Sequence, residues 1–252
     1  MMTGILVTAR LGSTRLKRKH LLEVDGHPIV YYLLKRILTE FQAERKNGHL
    51  KVIIATSDEA ENRSFERFNN EGVIVFYGSI NNIPFRHLQA AQEHFLDAIV
   101  SVDGDDILCS VRGMRYVYNA LEEGANYVKT SNLPFGMNSF GYTKKFLELS
   151  VSSQKSDVLE TGWGRIFDES QLVDIPMNFE IQNDLLRFTL DYDEDFLFFK
   201  AIIKKLGEKV YNISDEDLIK TVISEHLYNT NAQISKMYWD NFNATLEEEK
   251  QK

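Results

Sequence analysis

Residues 4–20 read GILV followed by TARLGSTRLKRKH. The first four predict a buried strand, and the rest is a Gly/Ser/Thr-containing turn with five cationic side chains. A role in core packing explains this turn poorly, because charged side chains must be either solvated or paired with an anion. Gly12 lets backbone N–H groups approach an oxyanion closely, and Arg10, Arg15 and Lys19 can neutralise several charges. The stretch predicts a phosphate cradle, with a solvated basic loop as the alternative.

Composition indicates the kind of anion. The chain has 252 residues and a formal net charge of −8, so the basic turn is a local feature of an acidic protein. An acidic protein is poorly suited to general binding of nucleic acid or a membrane surface. We therefore expect a small polyanion as the ligand, and neither nucleic acid nor membrane as a partner.

Cysteine usage and the amino terminus bear on the compartment. Cys109 is the only cysteine, which excludes an intrachain disulfide and a cysteine-based zinc cluster. Met1–Gly4 enters the first strand without the basic and apolar segments of an export signal. The expected location is the cytoplasm.

Strand and helix patterns alternate through the first half of the chain. Apolar runs predict strands, and helical spacing of apolar residues predicts the helices between them. The turn Val24–Pro28 precedes the first helix. Such alternation is typical of a doubly wound α/β sheet, whose ligands lie outside the carboxyl ends of the strands. The predicted strands are 4–7, 51–56, 73–77 and 98–102, and the predicted helices are 29–48, 59–70 and 84–95.

The second half is less regular, and it contains no repeat or linker that demands a second domain. We expect one domain over residues 1–252 and a frayed charged tail at 246–252. The predicted strands are 127–129, 172–175 and 186–190, and the predicted helices are 115–122, 196–206 and 215–227.

Two groups of carboxylates follow apolar runs. One comprises Asp103, Asp105 and Asp106, and the other comprises residues 191, 193 and 195. Mg²⁺ takes oxygen ligands, usually one or two carboxylates with phosphate and water, whereas aspartate at such a boundary also caps helices. We favour metal binding for Asp105 and Asp191 and capping for Asp195.

Cations opposite metal-binding carboxylates indicate transfer of a phosphorus-centred group. A hydroxyl would attack the α-phosphorus of a nucleoside triphosphate while Arg10, Arg15, Lys19 and the metal stabilise the leaving pyrophosphate. The sequence has no Gly-x-Ser-x-Gly elbow, Walker A loop or dinucleotide glycine fingerprint.

Residues Ala9–Leu16 through Lys19, with Gly26-His27-Pro28, resemble the opening of the cytidylyltransferases that make CMP-activated sugars. The similarity is greatest to the spore-coat polysaccharide branch, whose relatives activate acylneuraminate and 3-deoxy-octulosonate sugars. The sequence departs from the usual pattern of this family at Lys17-Arg18 and at Leu159–Gly162. Further matching segments are Ala55–Asp58, Gly78-Ser79 with Arg86, Gly104-Asp105, Pro134 with Gly136, and Thr189–Asp191 with Glu194-Asp195.

The resemblance implies a three-layer α/β/α Rossmann-like nucleotide-diphospho-sugar transferase fold with a mostly parallel mixed sheet. It implies CTP as donor, an acidic sugar as acceptor, and Mg²⁺ on Asp105 and Asp191, with Mn²⁺ as the alternative ion. Arg10, Lys19 and Asp105 are the expected catalytic residues, and similar enzymes are commonly homodimers. The expected nucleotide-binding residues are Ala9, Arg10, Gly12, Ser13, Arg15, Lys19, Ser57, Asp58, Gly78 and Arg86.

The acceptor site is expected within residues 126–185. Pro134, Gly136 and Asn138 lie in a turn-rich aromatic segment, and Arg165 is a candidate to clamp an acidic sugar. Two other functions remain open. Asp103-Gly104-Asp105 matches the Asp-x-Asp pattern of glycosyltransferases that use nucleotide-diphosphate sugars, and a non-catalytic nucleotide-binding relative is the third reading.

Overall fold

The structure, a computed structural model, describes residues 1–154, 156–177 and 185–250. Strands and helices alternate through its first half, as the sequence predicts. The strands are β1 (Thr3–Thr8), β2 (Glu23–Val24), β3 (His27–Pro28), β4 (Leu50–Ser57), β5 (Ile74–Gly78), β6 (Ala98–Asp103), β7 (Tyr127–Ser131), β8 (Phe140–Thr143) and β9 (Leu172–Pro176). The α-helices are α1 (Val30–Glu40), α2 (Gln42–Lys46), α3 (Ile83–Glu93), α4 (Val111–Glu122), α5 (Lys144–Ser152), α6 (Asp193–Leu206), α7 (Asp215–Ser224) and α8 (Ile234–Lys250).

Seven strands form one mixed sheet in the order β5-β4-β1-β6-β8-β7-β9. Strand β1 lies inside the sheet, parallel to its neighbours β4 and β6, with Leu6 opposite Ile53 and Ser101. Strand β8 is antiparallel to both of its neighbours, and the remaining pairs are parallel. The expected mostly parallel mixed sheet is confirmed. The carboxyl ends of β1, β4, β5 and β6 lie together at one edge, where the fold places ligands.

The alternation of side chains along β1 builds two apolar layers. Ile5 and Val7 pack with residues of α1 and α4 on one face. Leu6 packs on the other face with residues of α3 and α5. A third cluster joins α6 and α7 to the loops beyond the sheet. Helices therefore cover both faces, which explains why β1 and β4 read as continuous apolar runs.

The turn predicted at Val24–Pro28 is a short hairpin of β2 and β3. Asp25 and Gly26 both have positive φ, as a two-residue hairpin turn of this kind requires. The segment predicted as a helix at 59–70 is a 3₁₀ helix over Ala60–Glu71. Helices α4 and α6 begin several residues earlier than predicted, at Val111 and Asp193.

Two expectations were wrong. Residues 186–190 form no sheet strand; they are extended, and their one bridge joins Arg187 to Phe135. Leu186, Phe188 and Leu190 are buried, so the alternation reflects packing without a neighbouring strand. The tail was expected to fray, yet α8 continues to Lys250 and buries Glu249. Residues 251–252 of that tail, and 155 and 178–184 of the expected acceptor region, lie outside the described residues.

In the described parts of the chain, no helix is both long enough and apolar enough to cross a membrane.

Candidate active site

A cleft of about 920 Å³ lies at the carboxyl ends of β1 and β6. The loop after β1, the acids after β6, the extended segment through Asp191 and one face of α8 line it. Nine predicted site residues line this cleft: Ala9, Arg10, Gly12, Ser13, Arg15, Lys19, Arg86, Asp105 and Asp191.

The loop after β1 is anchored at its start by the neighbouring strand. The side chain of buried Asn62 accepts the N–H of Leu11 at 2.9 Å and donates to the carbonyl and hydroxyl of Ser57, both at 2.9 Å. Leu11 and Leu16 bury their side chains, whereas Arg15 between them is exposed. Fixing the backbone this way holds the cations in place before a ligand arrives.

Gly104 allows the loop after β6 to approach β1. Its N–H donates to the carbonyl of Thr8 at 2.8 Å. A Cβ at this position would lie 2.8 Å from the Cβ of Ala9 and 2.9 Å from the Thr8 carbonyl oxygen. No larger residue fits without moving the backbone, so Gly104 brings the carboxylate of Asp105 against the basic loop.

Lys19 lies between the two carboxylates predicted to bind metal. Its Nζ is 2.7 Å from Oδ2 of Asp105 and 3.1 Å from Oδ1 of Asp191. Burial by itself lowers the pKa of Lys19, but the charges of the two aspartates outweigh it and the pKa is raised. Two acids from distant segments thus converge on one buried positive charge.

The acids after β6 titrate differently from one another. Burial would raise the pKa of Asp105, but Lys19 and His20 outweigh it and hold that pKa below its usual range. Burial, together with the charge of Asp105, raises the pKa of Asp103 to about 7. Burial and the charges of Asp105 and Asp103 raise the pKa of Asp106 well above its usual value. Of the three acids, Asp105 is thus the one whose ionised form is favoured, beside Lys19.

Asp191 is held from both sides. On the cleft side, Nη2 of Arg15 contacts its Oδ1 at 2.7 Å. On the interior side, Nη2 of Arg187 contacts its Oδ2 at 2.8 Å, and Nε of Arg187 contacts Asp195 at 3.0 Å. Asp195 also accepts the N–H groups of Asp191 and Tyr192 at the start of α6. The predicted capping role of Asp195 is confirmed, and its cap orients Asp191.

Arg10 and Arg86 have partners of different kinds. Arg10, half-exposed, contacts Glu160 through Nη1 at 2.7 Å. Arg86 is buried and donates to the carbonyls of Ser79 and Ile80 at 2.8 and 2.9 Å. Burial lowers the pKa of Arg86 to about 10. Arg10 is thus available for exchange with an anion, whereas Arg86 fixes the loop after β5.

Seven predicted site residues do not line the cleft: Ser57, Asp58, Gly78, Pro134, Gly136, Asn138 and Arg165. Ser57 donates to Glu59, and Asp58 pairs with exposed Arg63. The side-chain amide of Asn138 donates to the carbonyl of Leu133. Arg165 donates to the carbonyl of Thr161 and lies 3.7 Å from Glu249. These side chains hold neighbouring segments.

The largest omission of the sequence interpretation is α8. Tyr238, Trp239 and Phe242 line the cleft from this helix. The carboxylate of Glu249 accepts the N–H of Thr161 at 3.0 Å, beside Glu160. An aromatic triplet at helical spacing could have been noticed, but nothing in the pattern says which part of the fold it meets. Other cleft residues that the sequence interpretation did not assign to the site include His20, Lys129, Phe135 and Glu160.

The donor set fits a hard divalent cation that is completed by substrate. Within residues 1–154, 156–177 and 185–250, no three His, Cys, Asp or Glu side chains are grouped to hold a metal by themselves. Mg²⁺ in nucleotide sites takes one or two carboxylates, with phosphate oxygens and water for the rest. Asp105 and Asp191 already share the positive charge of Lys19, so two carboxylates from different segments converge where such a cation would bind.

Known proteins are similar to this chain in sequence. An uncharacterized protein of Methanocaldococcus jannaschii is 28% identical over 207 residues, covering 79% of this chain and 82% of that one. The spore coat polysaccharide biosynthesis protein SpsF of Bacillus subtilis is 24% identical, covering 85% of this chain and 91% of its own. The 3-deoxy-manno-octulosonate cytidylyltransferase of Acidobacterium capsulatum is 26% identical over about half of each chain.

A solved structure supports the fold. The structure of a cytidylyltransferase from Leptospira borgpetersenii covers 92% of this chain and 98% of its own, with a TM-score of 0.77 and 24% identity. A family model described as cytidylyltransferase matches residues 4–162, which span β1, the basic loop, Asp105 and Glu160. The chain therefore belongs to the cytidylyltransferase family of nucleotidyltransferases.

Proposed function

We propose that this protein transfers CMP from CTP to a hydroxyl group of an acidic sugar and releases pyrophosphate, using Mg²⁺ held by Asp105 and Asp191. The observation that carries the proposal is the shared contact of these two carboxylates with Lys19, inside the cleft that Arg10 and Arg15 line. The family match favours this function over a glycosyltransferase using the Asp103-Gly104-Asp105 pattern.

The basic loop supplies the triphosphate site. Arg10 and Arg15 each reach the cleft and are partly exposed, so their contacts with Glu160 and Asp191 can be exchanged for phosphate oxygens. Burial raises the pKa of Glu160 although Arg10 opposes the rise, so Glu160 is a costly partner for that arginine. A triphosphate carries more charge and is the stronger partner.

Lys19 and the acids act on the reacting phosphates. The hydroxyl oxygen of the sugar bonds to the α-phosphorus, the hydroxyl proton passes to water, and the bond from that phosphorus to the pyrophosphate oxygen breaks. When bound, Mg²⁺ supplies positive charge to the phosphate oxygens. Lys19 keeps its proton at Nζ and can donate a hydrogen bond to the oxygen where negative charge develops. Its side chain is already in place, so it need not reorganise at the moment of reaction.

The acidic sugar is proposed from the relatives. The Acidobacterium relative carries the name of a 3-deoxy-manno-octulosonate enzyme, and the Bacillus relative is named for spore coat polysaccharide biosynthesis. A place in surface polysaccharide synthesis follows as part of the proposal. The cationic side chains at the cleft suit an acceptor that carries a carboxylate.

Pyrophosphate release tests the proposal. The protein is incubated with each of the four nucleoside triphosphates, Mg²⁺, and either 3-deoxy-manno-octulosonate or N-acetylneuraminate. We expect turnover with CTP, and a loss of at least about 100-fold for Asp105→Asn. Asp217→Asn, at the exposed start of α7 and outside the cleft, is the matched control and keeps the wild-type rate.

Three outcomes would contradict the proposal. Turnover with UTP or ATP and none with CTP would overturn the choice of base. A wild-type rate for Asp105→Asn would show that Asp105 does not hold the metal. Tight CTP binding by calorimetry without turnover of either sugar acid would favour the non-catalytic alternative.

A further inference from the structure

The cleft has a second wall of a different chemical kind. Phe135, in the loop after β7, contacts Tyr238 and Trp239 of α8, with ring centroids 5.3 and 5.2 Å apart. Tyr238 and Trp239 meet edge to face at 5.2 Å. All three line the cleft, and we call them the aromatic platform.

The aromatic platform is held from behind. The carbonyl of Phe135 accepts the N–H of Phe188 at 2.7 Å. Gly136 has a φ of +85°, and a Cβ there would collide with the carbonyl of Phe188, so only glycine lets the loop lie this close. The guanidinium of Arg187 lies 4.3 Å from the centroid of the Tyr238 ring. A platform supported in this way is preorganised for a ligand.

Core packing does not account for the platform. Phe135 and Trp239 are 36% and 44% exposed, whereas Trp163, the other tryptophan, is 6% exposed within an apolar cluster. Binding pockets characteristically combine aromatic walls with a few placed polar groups. Two aromatic rings left open inside a substrate cleft therefore indicate a surface that a ligand covers.

The position of the platform indicates which of the two substrates it contacts. Phe135 follows β7, which is separated from β1 by β6 and β8, whereas the basic loop and Arg86 belong to the half built from β1, β4 and β5. The platform also adjoins the reacting centre, because Cζ of Arg15 lies 5.9 Å from the Tyr238 ring and Nη2 of the same residue contacts Asp191. A ligand on the platform would thus approach the phosphates from the side opposite the nucleotide half.

We infer that the aromatic platform is the acceptor subsite, and that its ligand is a sugar acid presenting an apolar face, either the C–H face of its ring or an acyl group. The inference rests on the proposed function. The negative face of an aromatic ring attracts C–H groups, which carry small positive charge.

Trp239 offers a direct readout, because the chain has only two tryptophans. In a Trp163→Phe background, the emission of Trp239 is followed during titration with Mg-CTP, 3-deoxy-manno-octulosonate or N-acetylneuraminate. We expect at least one sugar acid to change the emission saturably. Adding Phe135→Ala should weaken that sugar acid about tenfold and leave the affinity for CTP, measured by calorimetry, within about twofold.

The matched control is Phe95→Ala. Phe95 is 82% exposed and precedes β6, at the end of the sheet opposite the cleft, so its removal should change neither affinity. Thermal unfolding of each variant separates a folding defect from a binding defect.

Each contrary outcome overturns the inference. If neither sugar acid changes the emission of Trp239, or if Phe135→Ala leaves the sugar affinity unchanged, the platform is not the acceptor subsite. If Phe135→Ala instead weakens CTP about tenfold, the platform binds the base. Pyrophosphate release from CTP by the wild-type protein is scored separately, so the proposed function can stand while the inference fails.

Discussion

The two walls of the cleft work by opposite means. The charged wall comprises Arg10, Arg15, Lys19, Asp105 and Asp191, and each of these side chains has a partner of opposite charge within 3.1 Å. The aromatic platform has no charge and leaves two rings open to solvent. Ion pairs within the charged wall therefore hold its side chains in position before substrate binds. The platform, in contrast, leaves ring surface that a ligand would cover.

This difference separates catalysis from selection. Charges buried without partners would be costly, so the protein pairs them internally and a polyphosphate with a divalent cation can exchange with those pairs. Aromatic surface carries no such cost and discriminates by shape. Substitutions in the charged wall should thus act on rate and stability together, while substitutions in the platform should act on acceptor affinity.

Lys19→Met gives the largest expected effect. It leaves the carboxylates of Asp105 and Asp191 without their shared ammonium, which should lower the free energy of unfolding by about 3 kcal/mol. Pyrophosphate release should fall by at least about 100-fold. Millimolar MgCl₂ should raise the melting temperature of the variant more than that of the wild type, because the cation replaces the lost charge.

The control for this variant is Lys17→Met, which removes an exposed lysine from the same loop. It should match the wild type in melting temperature and rate. A Lys19→Met protein that melts and turns over like the wild type would show that the two acids do not depend on the shared charge.

Arg187→Lys tests the support of the charged wall from the interior. Lysine keeps the charge, but one ammonium cannot reproduce the contacts of Nη2 with Asp191 and of Nε with Asp195. We expect a loss of about 2 kcal/mol in the free energy of unfolding by urea, and a weaker apparent affinity for Mg²⁺ in the pyrophosphate assay. Arg112→Lys, on the exposed surface of α4, should cost much less. Unchanged stability would mean that Asp195 and the cap of α6 suffice to orient Asp191.

His87, which contacts Thr8 at the carboxyl end of β1, gives the smallest expected effect. Its Nε2 lies 2.8 Å from the hydroxyl of Thr8, and its Nδ1 lies 2.7 Å from that of Tyr142. Burial, with a further contribution from Arg86, lowers the pKa of His87 to about 3. The unfolded chain binds a proton near the ordinary histidine value and the folded chain does not, so stability is lost as pH falls below about 6.5.

The free energy of unfolding is measured with urea at about pH 7.5 and about pH 5.5. The wild type should lose about 1 kcal/mol of it at the lower pH through this histidine. His87→Asn is expected to be less stable at both values, but its stability should lack that share of the pH dependence. An equal pH dependence in the two proteins would show that His87 is protonated in the folded state.

The charged wall was largely predictable and the platform was not. The basic loop could be identified because its composition contradicts burial, and the acids because they end apolar runs. The platform combines Phe135 with Tyr238 and Trp239, which are about a hundred positions away, and no local pattern links them. Ser57, Asp58 and Gly78 lie at the expected edge of the sheet, yet their contacts serve neighbouring loops, because the end of a strand does not determine the direction of a side chain.

Strand β8 and the residues around 186–190 show the same limit. Phe140–Thr143 inserts antiparallel between β6 and β7, an order that a run of four residues does not indicate. The apolar alternation at Leu186, Phe188 and Leu190 reads as a strand, but these residues are buried against loops and helices. Burial alternates wherever one side of an extended chain faces a core, with or without a neighbouring strand.

By itself, the sequence determined the α/β alternation, the first apolar strand, the basic loop and the acids that end two runs. Those features depend on the periodicity and composition of adjacent residues. Only the tertiary structure decided that Lys19 meets Asp191 from 172 positions away, that Arg187 supports the acid from behind, and that α8 closes the cleft with aromatic side chains. The physical reason is that buried charges and open rings depend on what the rest of the fold brings beside them.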